Sequence, residues 1–76
     1  MNQRAQFMRH DPKWTHITGV TILGESRSGE AIQIEKNERL MWLPLSQVHH
    51  MKRSGHVGGD EITITEWIAR KVGLIE

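Results

Sequence analysis

Hydrophobic and polar positions along this chain alternate at period two more often than they recur at helical spacing, and the alternation predicts strands. From Thr15 to Gly24 the run THITGVTILG is rich in β-branched residues, which suit a pleated surface better than a helix. Ile17 does not share parity with Val20 and Ile22, and Gly19 lies between them. One extra residue there brings all three to one face, which predicts a β-bulge near Gly19. The ESRSG stretch from Glu25 is a turn by composition and leads into EAIQIEK, where Ile32 and Ile34 alternate with Gln33 and Glu35. Asn37, which enters the left-handed region at low cost, marks a tight turn before a third strand at Arg39 to Leu43. Met41, Trp42 and Leu43 are all apolar, so this strand is either covered on both faces or presents one to a partner.

The alternation is lost after Pro44 and returns at EITIT, Glu61 to Thr65. The intervening SQVHHMKRSGHVGGD reads as a long loop. TEWIARKVGLIE then carries helix markers in order: Thr65 as N-cap, Glu66 in the first turn, Arg70 and Lys71 in the last, and Gly73 just past the end. A helix this short needs Trp67, Ile68 and Val72 buried against the sheet. The pattern is therefore β-β-β-loop-β-α: mainly β with one C-terminal helix, a small SH3-like or OB-like half barrel. Asp11-Pro12 breaks this domain, residues 14–76, from a polar N-terminal arm, residues 1–13, in which Phe7 and Met8 could dock.

Composition narrows the chemistry. With 76 residues there is room for one domain, and a chain of this length buries only about 60% of its unfolded surface. Cys is absent, which removes disulfides, thiol catalysis and thiolate metal ligands, and is the usual composition of a protein working in a reducing cytoplasm. A metal, a partner or pairing as a homodimer then remains as reinforcement. The arm lacks the apolar core of a secretory signal, and no stretch is long enough for a membrane span, so a cytoplasmic protein with no membrane partner is expected. Net charge is +1, from 10 Lys and Arg against 9 Asp and Glu, so any basic function must be local.

The segment "LMWLPLSQV", followed by a variable loop and then "ITITEWIARKVGLI", resembles a widespread group of small phage and prophage proteins. In that group a strand ends in W-[IL]-P-x-S-Q-[IV], and the chain ends in a strand plus W-[IL]-A-x-x-x-G-[LF]. The matching positions are Trp42, Leu43, Pro44, Ser46, Gln47 and Val48, then Trp67, Ile68, Ala69, Gly73 and Leu74, over roughly the last half of the chain. Leu45, where a lysine is common, and the long histidine-bearing loop depart from the pattern. The resemblance implies a phage or mobile-element origin and a compact β fold rather than a reaction.

Read physically, Pro44 ends a strand's ladder, while Ser46 and Gln47 close a turn onto their own backbone. Trp42 and Trp67 are expected as large core plugs and Gly73 as the helix stop, so these six positions form a structural set. The histidines do not suggest a metal: His49 and His50 are adjacent and point apart in extended backbone, and no Cys supports them or His56. Nucleophile elbow and phosphate loop are both missing, so no enzyme and no cofactor is expected. What remains is the basic loop. Lys52 and Arg53 with His49, His50 and His56, extended by Arg27 and by Arg4 and Arg9 of the arm, suggest an electropositive finger that meets phosphate or an acidic protein surface. Two functions follow. One is a non-catalytic accessory protein that binds a host protein complex, such as an anti-CRISPR-like inhibitor of a defence effector. The other is a small nucleic-acid or nucleotide binder, against which stands the shortage of rings for base stacking: with two Trp buried, only Trp14 and Phe7 are free.

Overall fold

Every stretch with period-two alternation is a strand in the computed structural model, which describes residues 12–76. β1 (Trp14–Glu25), β2 (Ala31–Lys36), β3 (Arg39–Pro44), β4 (Val48–Lys52) and β5 (Asp60–Thr65) precede helix α1 (Glu66–Lys71). The arm expected over 1–13, with Arg4, Phe7, Met8 and Arg9, lies outside the described residues apart from Pro12 and Lys13. The strands form one antiparallel sheet in the order β3-β2-β1-β5-β4.

That order forces curvature. β3 and β4 occupy opposite edges, yet only a 3₁₀ turn, Leu45–Gln47, separates them in sequence. Across a flat sheet the edges would stand about 19 Å apart, four strand spacings. A three-residue 3₁₀ turn advances only about 6 Å. The sheet must therefore roll until its edges approach, which is the half-barrel curvature that short, bulged strands predict.

β1 runs through the bend. Its first half pairs with β5 and its second half with β2, and the register slips between Ile17 and Val20, where the bulge was predicted. Gly19 has φ 73°, and the Lys36 ammonium donates to the Thr18 carbonyl beside it at 2.8 Å. That positive φ favours glycine, and a side chain there would meet the ammonium at 2.9 Å and turn the flexible Lys36 away from the Thr18 carbonyl. The bulge brings Ile17, Val20 and Ile22 together inside, as the parity argument requires. Between β2 and β3, Asn37 and Glu38 both take positive φ, 53° and 65°, in a two-residue turn whose twist matches the hairpin.

The core is aliphatic. Ile32, Ile34, Met41, Leu43, Ile62 and Ile64 fill it from the strands, and Ile68 and Ala69 close it from α1. Trp42 and Trp67, expected as core plugs, are 49% and 60% exposed. On β3 the inward positions belong to Met41 and Leu43, so Trp42 between them faces out together with Leu40. On α1 only Ile68 and Ala69 are fully buried, because a helix of six residues offers one narrow stripe. Its ends are capped as the sequence predicts. Thr65 Oγ1 accepts from the Ile68 amide at 3.2 Å. Gly73, at φ 83°, donates to the Arg70 carbonyl at 3.1 Å, and Leu74 to that of Ala69 at 2.8 Å. Arg39 reaches over from β3 to donate to the Val72 carbonyl at 3.0 Å.

The segment expected to be one long loop is half strand. Val48 and Met51 turn inward on β4, and the register slips between Val48 and His50 to allow it. β5 would otherwise expose its outer edge, and pairing there satisfies a row of backbone groups.

Candidate functional site

The corner after β3 closes differently from the sequence reading. Pro44 pairs with Ala31 and ends the strand, and the Leu45 amide donates to the Glu30 carbonyl at 2.9 Å. Gln47, expected to bond its own turn, instead accepts at Oε1 from the Thr65 hydroxyl at 2.7 Å. Thr65 Oγ1 already accepts from the Ile68 amide, so its proton is directed to Gln47. One buried hydroxyl thus ties the 3₁₀ corner to the start of α1. Ser46 is exposed on the outside of the corner.

Of the predicted basic finger, only residues 53–59 remain a loop, and Asp60 holds its base. Asp60 is 5% exposed. Its carboxylate accepts from the Ile22 amide at 2.8 Å and from the Ser54 amide at 2.8 Å, with the Ser54 hydroxyl at 3.3 Å. The Ile22 amide first, and the Ser54 amide next, hold its pKa below the ordinary 3.8 against the cost of burial. Arg53 donates to the Ile22 carbonyl at 3.3 Å, and its charge also favours the Asp60 anion. The Gly58 amide donates to Thr21 Oγ1 at 2.7 Å. Arg53 is therefore tied back against β1 rather than held out as a hook. Val57, 87% exposed, and His56 form the tip. Ser54, His56 and Asp60 are neighbours without being a hydrolytic triad, because His56 contributes its backbone amide to Ser54 Oγ at 2.9 Å. Arg27 lies apart, exposed in the turn between β1 and β2.

The other predicted residues meet partners that sequence reasoning missed. His49, His50 and Lys52 lie on the outer face of β4. The His49 ring packs on Trp14 of β1, centroids 4.8 Å apart and planes tilted by 38°. His50 stands opposite Thr63 of β5, and Thr63 opposite His16 of β1. His16 contacts Thr63 Oγ1 at 3.2 Å through Nδ1 and Glu61 Oε1 at 2.9 Å through Nε2. Lys52 stands opposite Glu61. Beyond Thr65, which pairs with Trp14, the face continues into a groove of about 530 Å³ walled by Trp67, with Lys13 and Arg70 on its rim. Lys71 lies over the Trp67 ring at 5.2 Å, and Arg70 is 3.5 Å from Glu66.

Among the described residues no group of three or more His, Asp or Glu side chains is placed to hold a metal ion. No helix among them is long and apolar enough to cross a membrane. No protein-family model matches the chain, and no curated protein or solved structure matches it.

Proposed function

We propose that this chain is a non-catalytic accessory protein of phage or mobile-element origin that acts by occupying a surface of a host protein complex. An inhibitor of a host defence assembly would work in this way. The observation that carries the reading is the outer face of β3. Leu40, 62% exposed, and Trp42 stand side by side on the last strand of the sheet. Large apolar side chains on an edge strand are a liability unless something covers them, and tryptophan at the centre of a contact is the residue that most often dominates binding. Across the hairpin, Glu35 faces Leu40 and Gln33 faces Trp42, a polar border around an apolar centre. A second copy of the chain is the competing occupant of this edge.

The test is affinity purification of the tagged protein from bacterial lysate, beside a Leu40→Glu, Trp42→Glu variant. A host protein recovered in stoichiometric amount by the native chain and lost by the variant supports the reading. Recovery of nucleic acid alone, or of the chain's own dimer alone, overturns it.

A further inference from the structure

We propose that the outer face of β1, β5 and β4, together with the groove beside α1, binds a single strand of nucleic acid. This face is distinct from the Leu40–Trp42 edge and does not depend on it. Register alone sets out its surface. One row holds Trp14 and Thr65 with His49 beside them, the next His16, Thr63 and His50, the third Glu61 and Lys52.

Cations outnumber acids on this surface. Lys13, Lys52, Arg70 and Lys71 give four fixed cations, and Glu61 and Glu66 are the acids beside them. Both acids are already engaged within the chain, Glu61 by His16 and Glu66 by Arg70. Phosphates could therefore approach the lysines without displacing a carboxylate from them. The β2–β3 lobe lacks this excess, since Glu35 and Glu38 are balanced there by Lys36 and Arg39.

Rings supply the second element. The objection that two buried tryptophans leave few rings for base stacking does not hold, since Trp67 is 60% exposed and joins Trp14, at 40%. His49 packs on Trp14 and so props a ring whose exposed part is open to a base. Trp67 walls the groove that begins at Thr65, so the two indoles flank one continuous surface. A positive track with aromatic platforms along it is the arrangement that holds single strands without reading their sequence. A duplex keeps its bases stacked inside and would have only the lysines to meet.

The experiment is fluorescence anisotropy of labelled oligo(dT), oligo(rU) and a duplex, each of about 16 nucleotides, with the full chain. If the three lysines engage phosphate, the slope of log K against log salt is about −2.1, a loss of about 18-fold between 50 and 200 mM salt. Trp14→Ala should weaken binding about 5- to 150-fold. Trp14→Phe, which retains a ring, should recover much of it and guards against a folding defect. Lys52→Ala, on an exposed side chain, should reduce the slope by about 0.7. Leu40→Glu, Trp42→Glu should leave the affinity unchanged, which separates this inference from the protein-partner reading. The oligo(dT) and oligo(rU) arms distinguish DNA from RNA. No binding to either strand, equal binding to duplex, indifference to salt, or full affinity in Trp14→Ala would each overturn the proposal. So would recovery of an acidic protein through Lys52 in place of any oligonucleotide.

Discussion

Replacing Thr65 by valine probes the contact on which the corner and the helix both rely. The substitution keeps the branched shape, so it opens no cavity in a position that is 5% exposed. It removes one oxygen, and with it two hydrogen bonds: acceptance from the Ile68 amide at 3.2 Å and donation to Gln47 Oε1 at 2.7 Å. Loss of an N-cap side chain costs about 1 kcal/mol. Loss of the bond to Gln47 adds about 1 kcal/mol, since that carbonyl is only half buried and water can partly replace the hydroxyl. Together they come to about 2 kcal/mol, against a total stability of about 4–11 kcal/mol for a domain of this length. The expected fall in Tm is about 8–16 °C. Thermal melts followed by circular dichroism, with urea titrations for free energy, measure it. Thr65→Ser is the control, because it keeps the hydroxyl and loses one buried methyl, about 0.8 kcal/mol. A cycle with Gln47→Ala should show a coupling of about 1 kcal/mol. If Thr65→Ser is the more damaging change, or the cycle is additive, the hydroxyl does not bind corner to helix and the reasoning fails.

Two further outcomes test the buried acid and the direction of the strands. Asp60 has a folded-state pKa below 3.8, so its stabilising contribution is fully present above that value and is lost as pH falls through the lower folded value. Asp60→Asn should lower the urea midpoint at neutral pH and flatten its dependence on pH in the acid range. An acid transition identical to that of the native chain would show that Asp60 is not its source. On β3, Leu43→Ala should cost about 2–5 kcal/mol because Leu43 is fully buried, whereas Trp42→Ala should cost less than about 1 kcal/mol. A larger loss from Trp42→Ala than from Leu43→Ala would mean that the faces of β3 are reversed.

Much of the framework is legible along the chain because it rests on neighbours in sequence. The mismatch in parity between Ile17 and Val20 points to the bulge at Gly19, and the order Thr65, Glu66, Arg70, Gly73 marks both ends of α1. β4 escapes the same reading although it obeys the same rule. Val48 and Met51 break parity as Ile17 and Val20 do, and a bulge at His49 restores it. No glycine flags the place, and the reason for a strand there is the open edge of β5, which sequence does not display. Asp60 looks like an ordinary polar residue after two glycines. Its burial makes sense only once Ile22, 38 positions away, supplies the amide it accepts from.

The tryptophans divide most sharply between the two levels. Hydrophobicity alone argues for burying Trp42, and Leu40 to Leu43 is apolar at every position, so the pattern contains no vote on which face is inside. By itself the sequence determined four of the five strands, the turns between the first three and the helix caps, because propensity, parity and capping act over a few residues. Only the tertiary structure decided that the isoleucines, Met41 and Leu43 fill the barrel while Trp14, Trp42 and Trp67 stay outside it. A small rolled sheet encloses a limited volume, and its long-range register settles which side chains enter.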